Sequence, residues 1–257
     1  MRVVIKIGTS TLAHSTGCLN VKRFSELCRT IADIKNSGVE VILVSSGAIG
    51  LGVGKLHLPK KPSDIAGKQA CAAVGQCELM YIYDREFALY NHTVAQILLT
   101  APDLNCNDRR AKFTDTLMRL LEFGILPIIN ENDTVATEEI VFGDNDTLAA
   151  EVAVAADADL LILLSDIDGL YDKNPKEFPD AKLIPTVSEV TEEIEALGGG
   201  SGSSLGTGGM HTKLHAAKIA TSSGCQMIIT NGEYPENLYK IFEGKSVGTK
   251  FLVNKES

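Results

Sequence analysis

Short apolar runs recur along this chain with amphipathic stretches between them, and that alternation leaves few folds open. Arg2 to Ile7, Glu40 to Val44, Thr93 to Leu99, Ile125 to Ile129, Leu160 to Leu164 and Met227 to Thr230 are short and rich in β-branched residues or leucine. That composition reads as buried strands. Val21 to Asn36, Arg109 to Phe123, Asn145 to Ala156 and Met210 to Ser223 carry helical spacing; in the second, Phe113, Leu117, Leu120 and Leu121 share a face. Strands alternating with helices predict an α/β fold: a three-layer αβα sandwich around a mainly parallel central sheet.

With 257 residues, 44% of them hydrophobic, the chain can bury a large core as one α/β domain or two tightly joined lobes. No internal repeat is visible. A Gly-rich hinge near Gly198 is the only internal break, Glu138 to Gly143 reads as a small hairpin arm, and Lys173 to Asp180 as a Pro-containing excursion. The formal net charge of -9 argues against nucleic-acid and anionic-membrane partners, which need a basic surface. The N-terminal run is a charged strand rather than a signal peptide, and no uncharged apolar run approaches bilayer-spanning length, so a cytoplasmic location is expected. Cys18, Cys28, Cys71, Cys77, Cys106 and Cys225 form no Cys-x-x-Cys pair or zinc-finger spacing, and buried reduced thiols are expected.

Ligands of open α/β sheets lie beyond the carboxyl ends of the strands. Those ends are polar here: Lys6 to Ser10, Ser45 to Ala48, Asn130 to Asp133, and Ser165-Asp166. Any one of them alone reads as turn chemistry; four together point to a site. Lys6 interrupts an apolar run, and a buried ammonium needs a paired anion; the competing reading, an edge strand with a snorkelling lysine, fits its apolar neighbours less well. Gly8 would let a phosphate approach the backbone.

Gly206-Thr207-Gly208-Gly209-Met210-His211-Thr212-Lys213 opens into a helix-like segment. It reads either as a flexible loop or as a phosphate-binding loop at a helix N-terminus with a nearby ammonium. It is not a Walker A loop, and no Gly-x-Gly-x-x-Gly fingerprint occurs. Gly143-Asp144-Asn145-Asp146 precedes another helix, where one residue suffices as cap; the surplus could orient an ammonium, fix a substrate amine or sit near Mg²⁺.

Together these residues resemble the amino acid kinase family. The resemblance is carried by Val4-Ile5-Lys6-Ile7-Gly8-Thr9-Ser10, Val44-Ser45-Ser46-Gly47-Ala48-Ile49, Lys68-Gln69 with Ala73-Val74-Gly75-Gln76, Ile129 to Asp133, Phe142 to Asp146, Ser165-Asp166 with Gly169-Leu170-Tyr171, and Gly206 to Lys213. These motifs stand in the family's order over nearly the whole chain. Asn-Glu-Asn-Asp and Gly-Asp-Asn-Asp match the branch that acts on glutamate.

The resemblance implies transfer of the ATP γ-phosphoryl group to the side-chain carboxylate of L-glutamate, opening proline synthesis. It implies one kinase domain, with an amino acid-binding lobe over about 1–155 and a nucleotide-binding lobe over about 156–257. Lys6 and Lys213 would neutralise charge on the transferred phosphoryl, with Asp146 holding both ammonium groups. Gly8 and the backbone from Thr207 through Gly208, Gly209, Met210 and His211 to Thr212 would hold phosphate, and Ser165 and Asp166 would contact the nucleotide. Ser46, Gly47, Asp133 and Asn145 match positions that grip the amino acid, and Asn130 is a weaker candidate. Mg²⁺ would travel largely on ATP phosphates and water, with no protein metal site.

The same resemblance implies a short form without the appended C-terminal domain of the RNA-modification type. It carries the expectations of a homo-oligomer, feedback inhibition by proline, and channelling to the glutamyl phosphate reductase. Two rivals remain at this stage: another kinase of the family, acting on aspartate, acetylglutamate or a nucleoside monophosphate, and a catalytically silent sensor on the same fold.

Overall fold

The computed structural model describes residues 1–14, 18–135, 145–199 and 209–253. In chain order the elements are β1 (Arg2–Ile7), α1 (Thr9–Leu12), α2 (Val21–Asn36), β2 (Glu40–Ser45), α3 (Ala48–Lys55), α4 (Ile65–Ala88), β3 (Val94–Leu99), α5 (Ala101–Asn105), α6 (Asn107–Glu122) and β4 (Leu126–Glu131). There follow α7 (Asn145–Ala155), β5 (Leu160–Ser165), β6 (Thr186–Val187), α8 (Glu192–Leu197), α9 (Met210–Ser222), β7 (Gln226–Asn231), α10 (Asn237–Phe242) and β8 (Thr249–Phe251).

The eight strands form one sheet in the order β3-β4-β2-β1-β5-β7-β8-β6, parallel throughout except where β8 runs antiparallel to β7. This is the expected α/β sandwich. β1 lies between β2 and β5, so the strand that carries Lys6 is central. Because side chains alternate across a strand, its apolar residues serve two cores. Val3, Ile5 and Ile7 pack with Phe24, Leu27 and Ile31 of α2 and Leu79, Tyr83 and Phe87 of α4. Val4 faces the opposite way, into a core built from Leu148 and Val152 of α7, Leu214 and Ala217 of α9, and Leu117 of α6. Lys6 shares the parity of Val4 and therefore faces α7 and α9.

Three departures from the sequence reading have physical causes. The 24-residue α4 is absent from it because Gly67, Gly75 and several alanines dilute the apolar periodicity. Asn130 and Glu131 fall inside β4 rather than beyond it. β6 and β8 are too short to leave a pattern; pairing with each other and with β7 creates them. Cys28, Cys71 and Cys225 are buried, whereas Cys18, Cys77 and Cys106 are exposed, which corrects the expectation of uniformly buried thiols. The expected hairpin arm at 138–143 lies outside the described residues, and Lys173 to Asp180 forms a surface excursion tied by a Lys173–Asp180 ion pair of 2.6 Å.

Candidate active site

The helix α7 begins at the carboxyl edge of the sheet and delivers Asp146 in its first turn, on the face toward which Lys6 projects. Lys6 Nζ stands 2.6 Å from Asp146 Oδ1, and Lys213 Nζ, from the first turn of α9, donates to Asp146 Oδ2 at 2.9 Å. Asp146 is fully buried, while Lys6 and Lys213 are 7% and 3% exposed. Burial raises the Asp146 carboxyl pKa, but the two ammonium groups outweigh it and hold the carboxyl below its usual range. Two cations on one carboxylate leave one unit of positive charge over, which suits a phosphate oxygen. Thr212 secures the arrangement, donating to Gly209 O at 2.6 Å and to Asp146 Oδ2 at 3.3 Å.

Gly8 follows Lys6 at the strand end. A Cβ on it would lie 3.3 Å from Leu164 O and 3.8 Å from Lys6 Nζ, filling the space where an anion could meet that ammonium. Ser165 and Asp166 close the neighbouring end of β5, with Ser165 Oγ donating to Asp166 Oδ1 at 3.2 Å. Gly209 caps α9, and Met210 and His211 lie in its first turn beside Lys213. The remaining candidates of that loop, Thr207 and Gly208, lie outside the described residues.

A second cluster sits over the ends of β2 and β4. Asn145 Nδ2 donates to Ser46 Oγ and to Asn130 Oδ1, both at 2.9 Å, and approaches Ser45 O at 3.2 Å. Asn130 Nδ2 in turn donates to Gln76 Oε1 of α4 at 2.8 Å. Gly47 adopts a φ of 102°, a left-handed turn that glycine allows without strain and that starts α3 directly after Ser46. Two residues beyond β4 the Asp133 carboxyl is pushed upward by burial, with Lys61 pulling the other way. Asn145 and Asp146 are adjacent on α7, so the two clusters share one element.

Gln76 and Lys61 were not singled out for the site by sequence reasoning; Thr212 was, as part of the phosphate-holding turn, though not as a partner of Asp146. Gln76 had a signal, since it stands in the Ala73-Val74-Gly75-Gln76 motif, but nothing in the chain's order tells that α4 brings it to Asn130 of β4. Among the described residues no group of three or more His, Cys, Asp and Glu could hold a metal, and no helix is long and apolar enough to cross a membrane.

The profile described as "Amino acid kinase family" matches residues 1–231. The chain is 53% identical over 258 aligned positions to the glutamate 5-kinase of Clostridium perfringens, covering 99% of this chain and 96% of the relative. It is 54% identical over 251 positions to the glutamate 5-kinase of Clostridium acetobutylicum, covering 98% and 94%. Among solved structures, carbamate kinase from Giardia lamblia bound to AMP-PNP superposes with a TM-score of 0.68 at 19% identity, covering 98% of both chains. That likeness concerns the fold.

Proposed function

Because the chain belongs to the amino acid kinase family, we propose that its two polar clusters are the two halves of a phosphoryl-transfer site acting on L-glutamate. The enzyme phosphorylates the side-chain carboxylate of glutamate with ATP, giving L-glutamyl 5-phosphate, the first step of proline biosynthesis. The observation that carries the catalytic reading is the Lys6–Asp146–Lys213 arrangement, in which one buried carboxylate positions two ammonium groups.

The chemistry asks little else of the protein. Glutamate's side chain is ionised at neutral pH, so no general base is required, and catalysis reduces to alignment and charge neutralisation. One carboxylate oxygen attacks the γ-phosphorus, the bond to the β-phosphate bridging oxygen breaks, and ADP departs. In our reading Lys6 and Lys213 stabilise the charge on the moving phosphoryl. Gly8 and the turn from Thr207 to Thr212 hold phosphate oxygens, while Ser165 and Asp166 contact the nucleotide. Ser46, Gly47, Asn130, Asp133 and Asn145 hold the amino acid, Asp133 taking its ammonium. Both oxygens of Asp146 are engaged by lysines, so Mg²⁺, which neutralises phosphate charge when bound, would be carried by the ATP phosphates and water.

The lobe division, about 1–155 for the amino acid and about 156–257 for the nucleotide, belongs to the same proposal, as do a cytoplasmic homo-oligomer, proline feedback and delivery of the labile acyl phosphate to its reductase. The test is trapping. Purified protein with ATP, Mg²⁺ and hydroxylamine should form hydroxamate with L-glutamate, and not with L-aspartate, N-acetyl-L-glutamate or no acceptor. Hydroxamate from another acceptor alone would move the substrate, and silence with all three would leave a sensor or a kinase for other acceptors.

A further inference from the structure

The hydrogen-bond chain behind the glutamate pocket has a direction, and it starts from a group that can only donate. The backbone N–H of Glu131 donates to Asn130 Oδ1 at 2.9 Å, and Asn145 Nδ2 donates to the same oxygen at 2.9 Å. With its oxygen so engaged, Asn130 presents its amide N–H to Gln76, whose Oε1 accepts at 2.8 Å. The orientation of Gln76 follows, because its oxygen is committed and its Nε2 is the other end. Among the described residues that nitrogen is buried without a hydrogen-bond partner, on a residue only 8% exposed. A buried donor without an acceptor costs free energy, and native structures keep few of them.

We propose that Gln76 is a substrate-binding residue whose amide donates a hydrogen bond to a carboxylate oxygen of the bound amino acid, orienting it in the pocket. The inference rests on the glutamate reading above and deepens it. A donor-only nitrogen repels an ammonium and donates to a carboxylate oxygen, whereas the Asp133 carboxylate accepts from an ammonium and repels a carboxylate. The two residues thus give the pocket a polarity: the ammonium of the amino acid goes toward Asp133 and a carboxylate toward Gln76. α4 supplies Gln76 and the turn after β4 supplies Asp133, so the orientation depends on where α4 sits against the sheet.

The discriminating substitution is Gln76→Glu. It preserves an oxygen to accept from Asn130 and replaces the donor with a second carboxylate oxygen. In steady-state assays on the full chain, the KM for glutamate should rise about tenfold or more, the scale of a lost charge-assisted hydrogen bond, while the KM for ATP stays within about twofold. The thermal midpoint without glutamate should fall, because a carboxylate replaces an amide at a buried position, and the KM comparison is made below that midpoint. A purely structural role would lower the thermal midpoint without separating the two KM values, and a glutamate KM within about twofold of wild type overturns the proposal. Should Gln76→Glu fail to fold, Gln76→Met decides through the thermal shift induced by glutamate: an unchanged shift overturns it, a weakened one supports it. Wild type inactive with glutamate would sink the functional reading and this inference with it; an active wild type beside an unaffected variant sinks this inference alone.

Discussion

At the scale of single residues the molecule concentrates its electrostatic cost in one place. Lys6, Lys213 and Asp146 are among the most deeply buried charged groups described, and each compensates another. Removing one member of a buried charge set leaves the others uncompensated. Asp146→Asn keeps the shape but removes the charge that positions both ammonium groups, and turnover should fall by about 10²-fold or more, read by the hydroxamate assay. Its stability profile carries a sign. A carboxyl held below its unfolded pKa contributes stability that is present above the usual carboxylate range and is lost as pH falls through the folded value. Thermal midpoints measured from pH 7 downward should therefore drop less steeply for Asp146→Asn than for wild type, and parallel curves would refute the pairing. Lys6 and Lys213 were legible in the sequence as a charge inside an apolar run and a lysine after a glycine-rich turn. That one aspartate holds both was not, since the three are separated by most of the chain and meet only through strand parity and two helix starts.

At the scale of elements, the cluster proposed to hold the amino acid depends on how α3 lies on α4. A Cβ at Gly75 would overlap the Ala48 carbonyl oxygen, and one at Gly52 would overlap the Cys71 carbonyl. The two helices therefore meet backbone to backbone, and this contact joins the residue that follows Gly47 to the residue that precedes Gln76. Gly75→Ala forces α3 off that seat. It should cost about 1–3 kcal/mol, the scale of an overpacked interior, and raise the KM for glutamate more than that for ATP; denaturant titration and steady-state kinetics check both. This contact was invisible beforehand because glycines in a helix read as weakness, and only a partner helix shows what their missing side chains are for.

At the scale of the whole molecule, the two proposed lobes share one sheet. β1 pairs with β2 on one side and β5 on the other over nearly its full length, so no seam divides the strands near residue 155. Unfolding followed by far-UV circular dichroism and by tyrosine fluorescence should give one coincident transition. Addition of ATP at about 100 times its Kd should shift that transition as a unit by about 2.7 kcal/mol; two separable transitions would make the lobes independent.

The order of strands and helices, the apolar faces and the positions of unusual charges are properties of neighbours in the chain, where periodicity and composition act, and for that reason the α/β class, the parallel sheet and most residues of the two polar clusters could be read from the amino acids. The long α4, the short strands β6 and β8, the shared carboxylate and the Gln76–Asn130–Asn145 chain are products of distance in sequence collapsed by packing. Their energies arise from contacts such as the Asn130–Gln76 bond between β4 and α4 and the packing of α7 against α9, which no local pattern encodes.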